Sequence, residues 1–464
     1  MPVARKPPRS TRVHHGRKCW IIITVFVSVW GFFLVWSHHD VANLEYMRNG
    51  PAQYLLEPLV GKDQFASMLA WRRVEDANPK IAQQKILNPN RKTNNPWYGW
   101  QPQIASKMEC PWETCLSPEI GCKTCRDEDL GPAPPVDPDW IPDATMLHQM
   151  YLEGKDAQGN PWPPPIGGDI CEDFWGVGKD INKRLFQAVP VSVSAATERQ
   201  NEGPRVFCGV YTMASAHSQS IRAMRETWAP RCDGFVAFST ESDPRIPAYG
   251  IHHEGKEEYN NMWQKSRAIW KFIGDHYLQD YDYFFLGGDD LFVIVDNLRA
   301  YLGSLSPGPD ADHFVGRRFK GYGKDNYFNS GGAGYVLSRG TLQKYVTQGY
   351  ENDSCAAHDH TSMEDVMMAK CLRVVFGIGL TDTRDSQRRE RFHPFAPGTH
   401  LTWEPPEVGK HDWYQDYNKE WGVGLGANCC APDSVSFHYI KKAATVRHLH
   451  SLLYECNGSA GNAS

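Results

Sequence analysis

Two adjacent carboxylates, Asp289 and Asp290, end the apolar run that begins at Phe284, and a second apolar run to Val295 follows at once. The first run reads as a buried strand, which leaves the acids where a strand opens onto a cleft. Carboxylates so placed can hold a hard divalent cation, and the cation can neutralise a diphosphate. An Asp-Asp pair after a strand is also a common turn or helix cap. The pair alone therefore decides nothing.

Five further signals lie downstream. Gly316-Arg-Arg-Phe-Lys320 is a basic knot holding Arg317 and Arg318, and Ser330-Gly-Gly-Ala-Gly-Tyr-Val-Leu-Ser338 is a glycine-rich turn feeding an apolar strand. Met363-Glu-Asp-Val-Met-Met-Ala-Lys-Cys371 puts Glu364 and Asp365 at a helix start. Arg391-Phe-His-Pro-Phe395 follows, and Cys429-Cys-Ala-Pro-Asp-Ser-Val-Ser-Phe-His-Tyr439 carries His438. Paired acids at a helix start can have separated pKa values, one ionised as a base and one structural. Each signal also has a plain reading. A basic knot is commonly a solvated face, acids in a first turn complement the helix dipole, and a histidine in an apolar strand is usually a satisfied core residue.

The elements that must position these residues alternate. Arg205–Tyr211 reads as a strand, 217–228 as a helix, Asp233–Ser239 as a strand, Tyr259–His276 as a helix, and Tyr283–Leu286 as the strand before the acids. Alternation of this kind implies an α/β domain with an open, mostly parallel sheet and helices on both faces. Such sheets bind ligands at the carboxyl ends of their strands, where Asp289 and Asp290 fall.

The chain of 464 residues is 41% apolar with a formal charge of −5, which supports a sizeable core and argues against a nucleic-acid partner. Residues 1–18 carry Arg5, Lys6, Arg9, Arg12, Arg17 and Lys18 without an acid, and 19–36 is an uncharged apolar run. At about 1.5 Å per residue that run spans roughly 27 Å, enough for a thin bilayer. It is expected to be an uncleaved signal anchor, with the cytosolic tail before it and a lumenal chain after it. Residues 37–203, with Pro-rich tracts from Gly131 and Asn160 and a cluster at Cys110, Cys115, Cys122 and Cys125, read as a lumenal stem containing a small disulfide-rich module. A folded domain over 204–456 and a tail over 457–464 complete the expectation. Asn352, Asn457 and Asn462 are glycosylation acceptors compatible with a secretory route.

Taken together and in order, the motifs of 204–440 resemble one family, the inverting β1,3-glycosyltransferases, and within it the core 1 β1,3-galactosyltransferase branch. The resemblance implies a GT-A-type, Rossmann-like domain that binds UDP-galactose and Mn²⁺ and transfers galactose to the 3-hydroxyl of O-linked GalNAc on a glycoprotein or glycopeptide. A related transferase with another UDP-sugar donor and a non-catalytic lumenal chaperone are the alternatives. The resemblance maps the metal ligands to Asp290 and His438, with Asp289 supporting the metal or approaching the ribose. The family triplet carries a third acid, and here that position is Gly288. The base falls in the Glu364–Asp365 pair, Asp365 preferred. Lys265 is implied at the nucleotide, Trp413 and Tyr414 near the sugar nucleotide, and Arg317 and Arg318 at acceptor or phosphate. Disulfides Cys208–Cys232 and Cys355–Cys371 follow from the same alignment, while Cys429 and Cys430 are either a vicinal bridge or two separate links. A single-pass type II Golgi membrane protein with a lumenal catalytic domain is expected, and a homodimer is the expected assembly.

Overall fold

Two strands at the centre of the main sheet, Val206–Tyr211 and Tyr283–Gly288, are almost wholly apolar, because both of their faces are covered. Val206, Cys208, Val210, Tyr283 and Phe285 point into one core, and Phe207, Phe284 and Leu286 into the other. The computed structural model describes residues 133–156, 159–163, 180–194 and 203–456, all within one compact unit. The basic tail, the anchor run at 19–36, the Cys110–Cys125 cluster, Asn457 and Asn462 lie outside the described residues. No helix among the described residues is long and apolar enough to cross a membrane.

In chain order, helices α1 (Met146–Glu153) and α2 (Ile181–Ala188) come before β1 (Val206–Tyr211). Next are α3 (Arg222–Arg225), β2 (Gly234–Ser239), β3 (Ala248–Gly250), α4 (Met262–Tyr277), β4 (Tyr283–Gly288), β5 (Phe292–Val293) and α5 (Val295–Gly303). The second half holds β6 (Phe314–Gly316), β7 (Arg318–Lys320), β8 (Tyr327–Asn329), β9 (Tyr335–Ser338), α6 (Arg339–Lys344) and α7 (Glu364–Phe376). It ends with β10 (Phe392–His393), α8 (Pro397–Thr402), α9 (Trp413–Tyr417), β11 (Ser436–Phe437) and α10 (Ala443–Tyr454).

The main sheet runs β3-β2-β1-β4-β9-β6. Its first four strands are parallel, β9 runs antiparallel beside β4, and β6, antiparallel to β9, returns to the direction of the first four. A small sheet, β10-β11-β5, lies over the carboxyl end of β4. Antiparallel pairing of β5 with β11 brings the C-terminal segment back to the strand that leaves the acids.

Parts of the expected stem belong to the folded body. Leu147 of α1 and Leu185 of α2 are buried in the same core as β1. The Phe235 N–H donates to the Ala144 carbonyl (2.8 Å), and the Tyr277 hydroxyl donates to the Pro142 carbonyl (2.7 Å). These apolar anchors are single residues in Pro-rich sequence, too sparse to show a period.

Candidate functional site

Asp289 and Asp290 occupy the turn between β4 and β5. The register Phe437↔Phe292 places His438 beside that turn, with its Nε2 3.1 Å from Asp290 Oδ1. The Ile440 N–H fixes the approach by donating to the Asp290 carbonyl at 2.8 Å. On the other edge of the imidazole, Nδ1 lies 3.2 Å from the Pro394 carbonyl. A carbonyl can only accept, so Nδ1 carries a hydrogen and Nε2 is the nitrogen on the Asp290 side. An outer partner holding Nδ1 is what orients the Nε2 of a metal-ligating histidine. One imidazole and one partly open carboxylate suit a divalent cation whose remaining positions go to phosphate oxygens. Tyr439 sits at φ 59°, a left-handed conformation that lays its ring against His438 (centroids 3.9 Å apart).

Asp289 faces the other way. It accepts the Thr212 hydroxyl at 2.6 Å, and burial pushes its carboxyl up, with the Thr212 bond opposing and the charge of Asp290 adding. Lys265, in the first turn of α4, donates to the Thr212 carbonyl (2.8 Å) and to Glu257 (2.6 Å). Thr212 therefore ties Lys265 and Asp289 to the end of β1.

The acid pair of α7 reaches the same place through the glycine turn before β9. The Gly331 N–H donates to Asp365 Oδ2 at 2.8 Å. A Cβ at Gly331 would lie 2.2 Å from Glu364 Oε1, and one at Gly332 would lie 2.7 Å from the His438 ring. These two glycines are the wedge between the acid pair and the histidine, and any side chain there would push them apart.

The two acids differ. Glu364 is buried and accepts the Tyr335 hydroxyl at 2.9 Å. Burial raises its pKa to about 8, and the charge of Asp365 adds to the rise. Asp365 is less covered. Burial raises it too, but the N–H groups of Gly331 and Val366 bind the ionised form and oppose the rise. At neutral pH Glu364 retains its proton, and Asp365 is the more exposed acid of the two.

Gly288 pairs with Tyr211 across β1 and β4. A Cβ at 288 would lie 3.1 Å from the Tyr211 ring and 3.3 Å from Asp290 Oδ1. The missing acid of the family triplet is thus matched by a tyrosine filling the same space.

Two expected contacts are corrected. Arg317 is only 1% exposed and is held by Glu390 (2.8 Å), Asn418 (2.7 Å) and the Tyr414 hydroxyl (3.2 Å). A guanidinium so enclosed is a structural cation and cannot also meet acceptor or phosphate. Tyr414 is likewise buried, packed against Phe395, His400 and Trp403, and offers no free face to a sugar. Arg318 pairs with Asp382 at 2.7 Å and lies over Trp421, flanking a cavity with Arg373 and Tyr327. Trp413 is half-exposed and touches Phe395, which stacks in turn on Tyr439, so it stands at the rim of the site.

Sequence reasoning missed Tyr211, Thr212, Tyr335 and Tyr439. Tyr335 and Tyr439 lie inside motifs quoted for other residues. Thr212 and Tyr211 carry only the signal of ending a strand next to the acid-bearing one. His393, His400 and Cys430 converge in the core, but the Cys430 sulfur is bonded to Cys429 and the Arg317 charge bears on both imidazoles. A cation there would meet a cation.

Cys208–Cys232 and Cys355–Cys371 are paired, the latter joining the loop before α7 to the helix itself. Cys429 and Cys430 form a vicinal bridge. Asn352, an expected glycosylation acceptor, caps a short helical turn by accepting the Ser354 N–H at 2.9 Å.

Residues 201–401 match the Fringe-like family. The chain is 34% identical over 248 residues to a glycoprotein-N-acetylgalactosamine 3-beta-galactosyltransferase 1 of Xenopus laevis, covering 53% of this chain and 66% of that relative. The chain thus carries a Fringe-like region and is core 1 β1,3-galactosyltransferase-like. A human chondroitin sulfate glucuronyltransferase is 27% identical over 190 residues, 40% of this chain and 24% of the relative. Human chondroitin sulfate synthase 3 is 27% identical over 239 residues, 48% of this chain and 26% of the relative. The chain therefore spans just under two thirds of the Xenopus relative and about a quarter of the chondroitin enzymes.

Proposed function

We propose that the chain is an inverting β1,3-hexosyltransferase that moves galactose from UDP-galactose to the 3-hydroxyl of GalNAc on a glycoprotein. The observation that carries this reading is the convergence of Asp290, His438 and Asp365 around the Gly331–Gly332 turn. A single displacement needs a base at the acceptor hydroxyl and positive charge at the departing diphosphate. Asp365 takes the hydroxyl proton as the acceptor oxygen attacks the anomeric carbon. The bond from that carbon to UDP breaks on the opposite face, so the configuration inverts. Asp290 and His438 would hold Mn²⁺, which supplies charge to the leaving diphosphate when bound. Glu364 keeps its proton and stays beneath Asp365, so the base is not crowded by a second negative charge. The same reading puts the domain in a lumen behind an anchor at 19–36, on the strength of the apolar run and the basic tail before it, and in the Golgi on the strength of the family resemblance.

The test uses the purified full-length chain in detergent with a GalNAc-peptide acceptor and a panel of UDP-sugars, with Mn²⁺ present or chelated. Transfer of galactose with a β1,3 linkage that disappears in chelator is expected. Turnover with a different donor replaces galactose in the reading. No turnover with any donor, and no UDP binding by calorimetry, overturns it.

A further inference from the structure

Tyr211 ends β1 in register with Gly288, and its ring covers the spot where a side chain at 288 would begin. Asp290 Oδ1 borders the same spot. The tyrosine is only partly buried, although it lies at the centre of the site. Burial and the charges of Glu364, Asp290 and Asp365, with Tyr259 beyond, all disfavour its ionisation, so both halves of the site surround this one phenol.

Its hydroxyl differs from those of neighbouring tyrosines. Tyr335 donates to Glu364 and Tyr277 donates to the Pro142 carbonyl, as buried phenols usually do. Among the described residues, the Tyr211 hydroxyl makes no hydrogen bond. A neutral donor thus stands without a protein acceptor beside Asp290, within the electrostatic reach of Asp365.

We propose that Tyr211 contacts the hexose being transferred: its ring lines the sugar's apolar face, and its hydroxyl bonds a sugar hydroxyl in the space that Gly288 leaves. This rests on the transferase reading above. In that reading the diphosphate lies at Asp290 and His438, and the acceptor oxygen lies at Asp365. The anomeric carbon has to lie between them, and Tyr211 is close to Asp290 and feels the charge of Asp365. Gly288 and Tyr211 then form a matched pair, and the tyrosine makes the donor-sugar pocket neutral and aromatic where a third carboxylate would have made it anionic.

The experiment is calorimetry on the full-length chain with Mn²⁺, comparing UDP with UDP-galactose, UDP-glucose, UDP-GlcNAc and UDP-GalNAc. In Tyr211→Phe and Tyr211→Ala, UDP affinity is expected to stay within about twofold of wild type. The extra affinity that the preferred hexose adds should fall about fivefold in Tyr211→Phe, as loss of one hydrogen bond implies. It should fall tenfold or more in Tyr211→Ala, with the KM for that donor rising while the acceptor KM holds. An unchanged hexose increment, or equal weakening of UDP and UDP-sugar, overturns the assignment while leaving the transferase reading intact. Wild-type chain that binds neither UDP nor any UDP-sugar overturns both. Tyr211→Phe differs by one hydroxyl, so it decides the question even where Tyr211→Ala fails to fold.

Discussion

The two halves of the site handle charge in opposite ways. Just past the end of β4, Asp290 is 24% exposed by its side chain and faces an imidazole whose far nitrogen is held by the Pro394 carbonyl. At the start of α7, Glu364 is buried beneath Tyr335 and retains its proton up to about pH 8. One half leaves a carboxylate reachable, as the proposed cation site requires. The other keeps Glu364 dry and protonated beside Asp365, whose ionised form two backbone N–H groups bind. The proposed transfer needs both, and the Gly331–Gly332 turn lies between them.

The largest effect expected from breaking this contrast is at the open half. Asp290→Asn should lower metal-dependent transfer about a thousandfold, the scale of a lost electrostatic stabiliser, with the circular dichroism spectrum unchanged. Full activity in that variant would falsify the metal assignment. Asp365→Asn should lower kcat about a hundredfold or more, as loss of a general base does, while calorimetric UDP binding with Mn²⁺ stays as in wild type. A parallel loss of UDP binding would show that the two halves are not separable.

Arg317→Met probes neither half. It leaves Glu390 without its cation and should cost about 3 kcal/mol of stability in denaturant unfolding, with donor KM little changed in the folded fraction. A large KM effect in a stable variant would restore Arg317 to the substrate. The smallest effect concerns the proton on Glu364. Its folded pKa stands above its unfolded value, so the folded state binds the extra proton and stability is lost as pH rises from about 4.5 to 8. Glu364→Gln should remove that slope, so that its melting temperature exceeds that of wild type by a few degrees at pH 8 and by less at pH 5. Parallel melting curves for the two proteins would show that Glu364 is ionised in the fold.

Most of the sheet was legible because its strands are nearly unbroken apolar runs bounded by turns, and β1, β2 and β4 begin within a residue of expectation. Helix α4 starts at Met262 instead of Tyr259 because a short 3₁₀ turn over Tyr259–Asn261 precedes it. The segment 217–228, expected as one helix, is a π-turn followed by the four-residue α3, and nothing in the structure explains the break. In the site, local pattern marks the acid pairs Asp289–Asp290 and Glu364–Asp365 as candidates, whereas the choice of Asp290, Asp365 and His438 needs the family resemblance, since the local pattern of each is equally that of a turn, a cap or a core residue. Arg317 was misread because charge implies exposure in a sequence, and its partner Glu390 is far along the chain. Tyr211 was invisible for a similar reason. Its meaning depends on register with Gly288, a strand away, and single-chain periodicity carries no register between distant strands.

The pairing of β5 with β11 also sets an order of assembly. Asp290 emerges from the ribosome together with the centre of the main sheet, but His438, the carbonyl partner at Pro394 and the Ile440 tether follow much later. A nascent chain made only as far as α7 carries Asp290 and Asp365 but not His438. Under the proposed function it cannot yet hold a nucleotide sugar by that route, and ligand binding then reports on whether the segment bearing His438 has been threaded home.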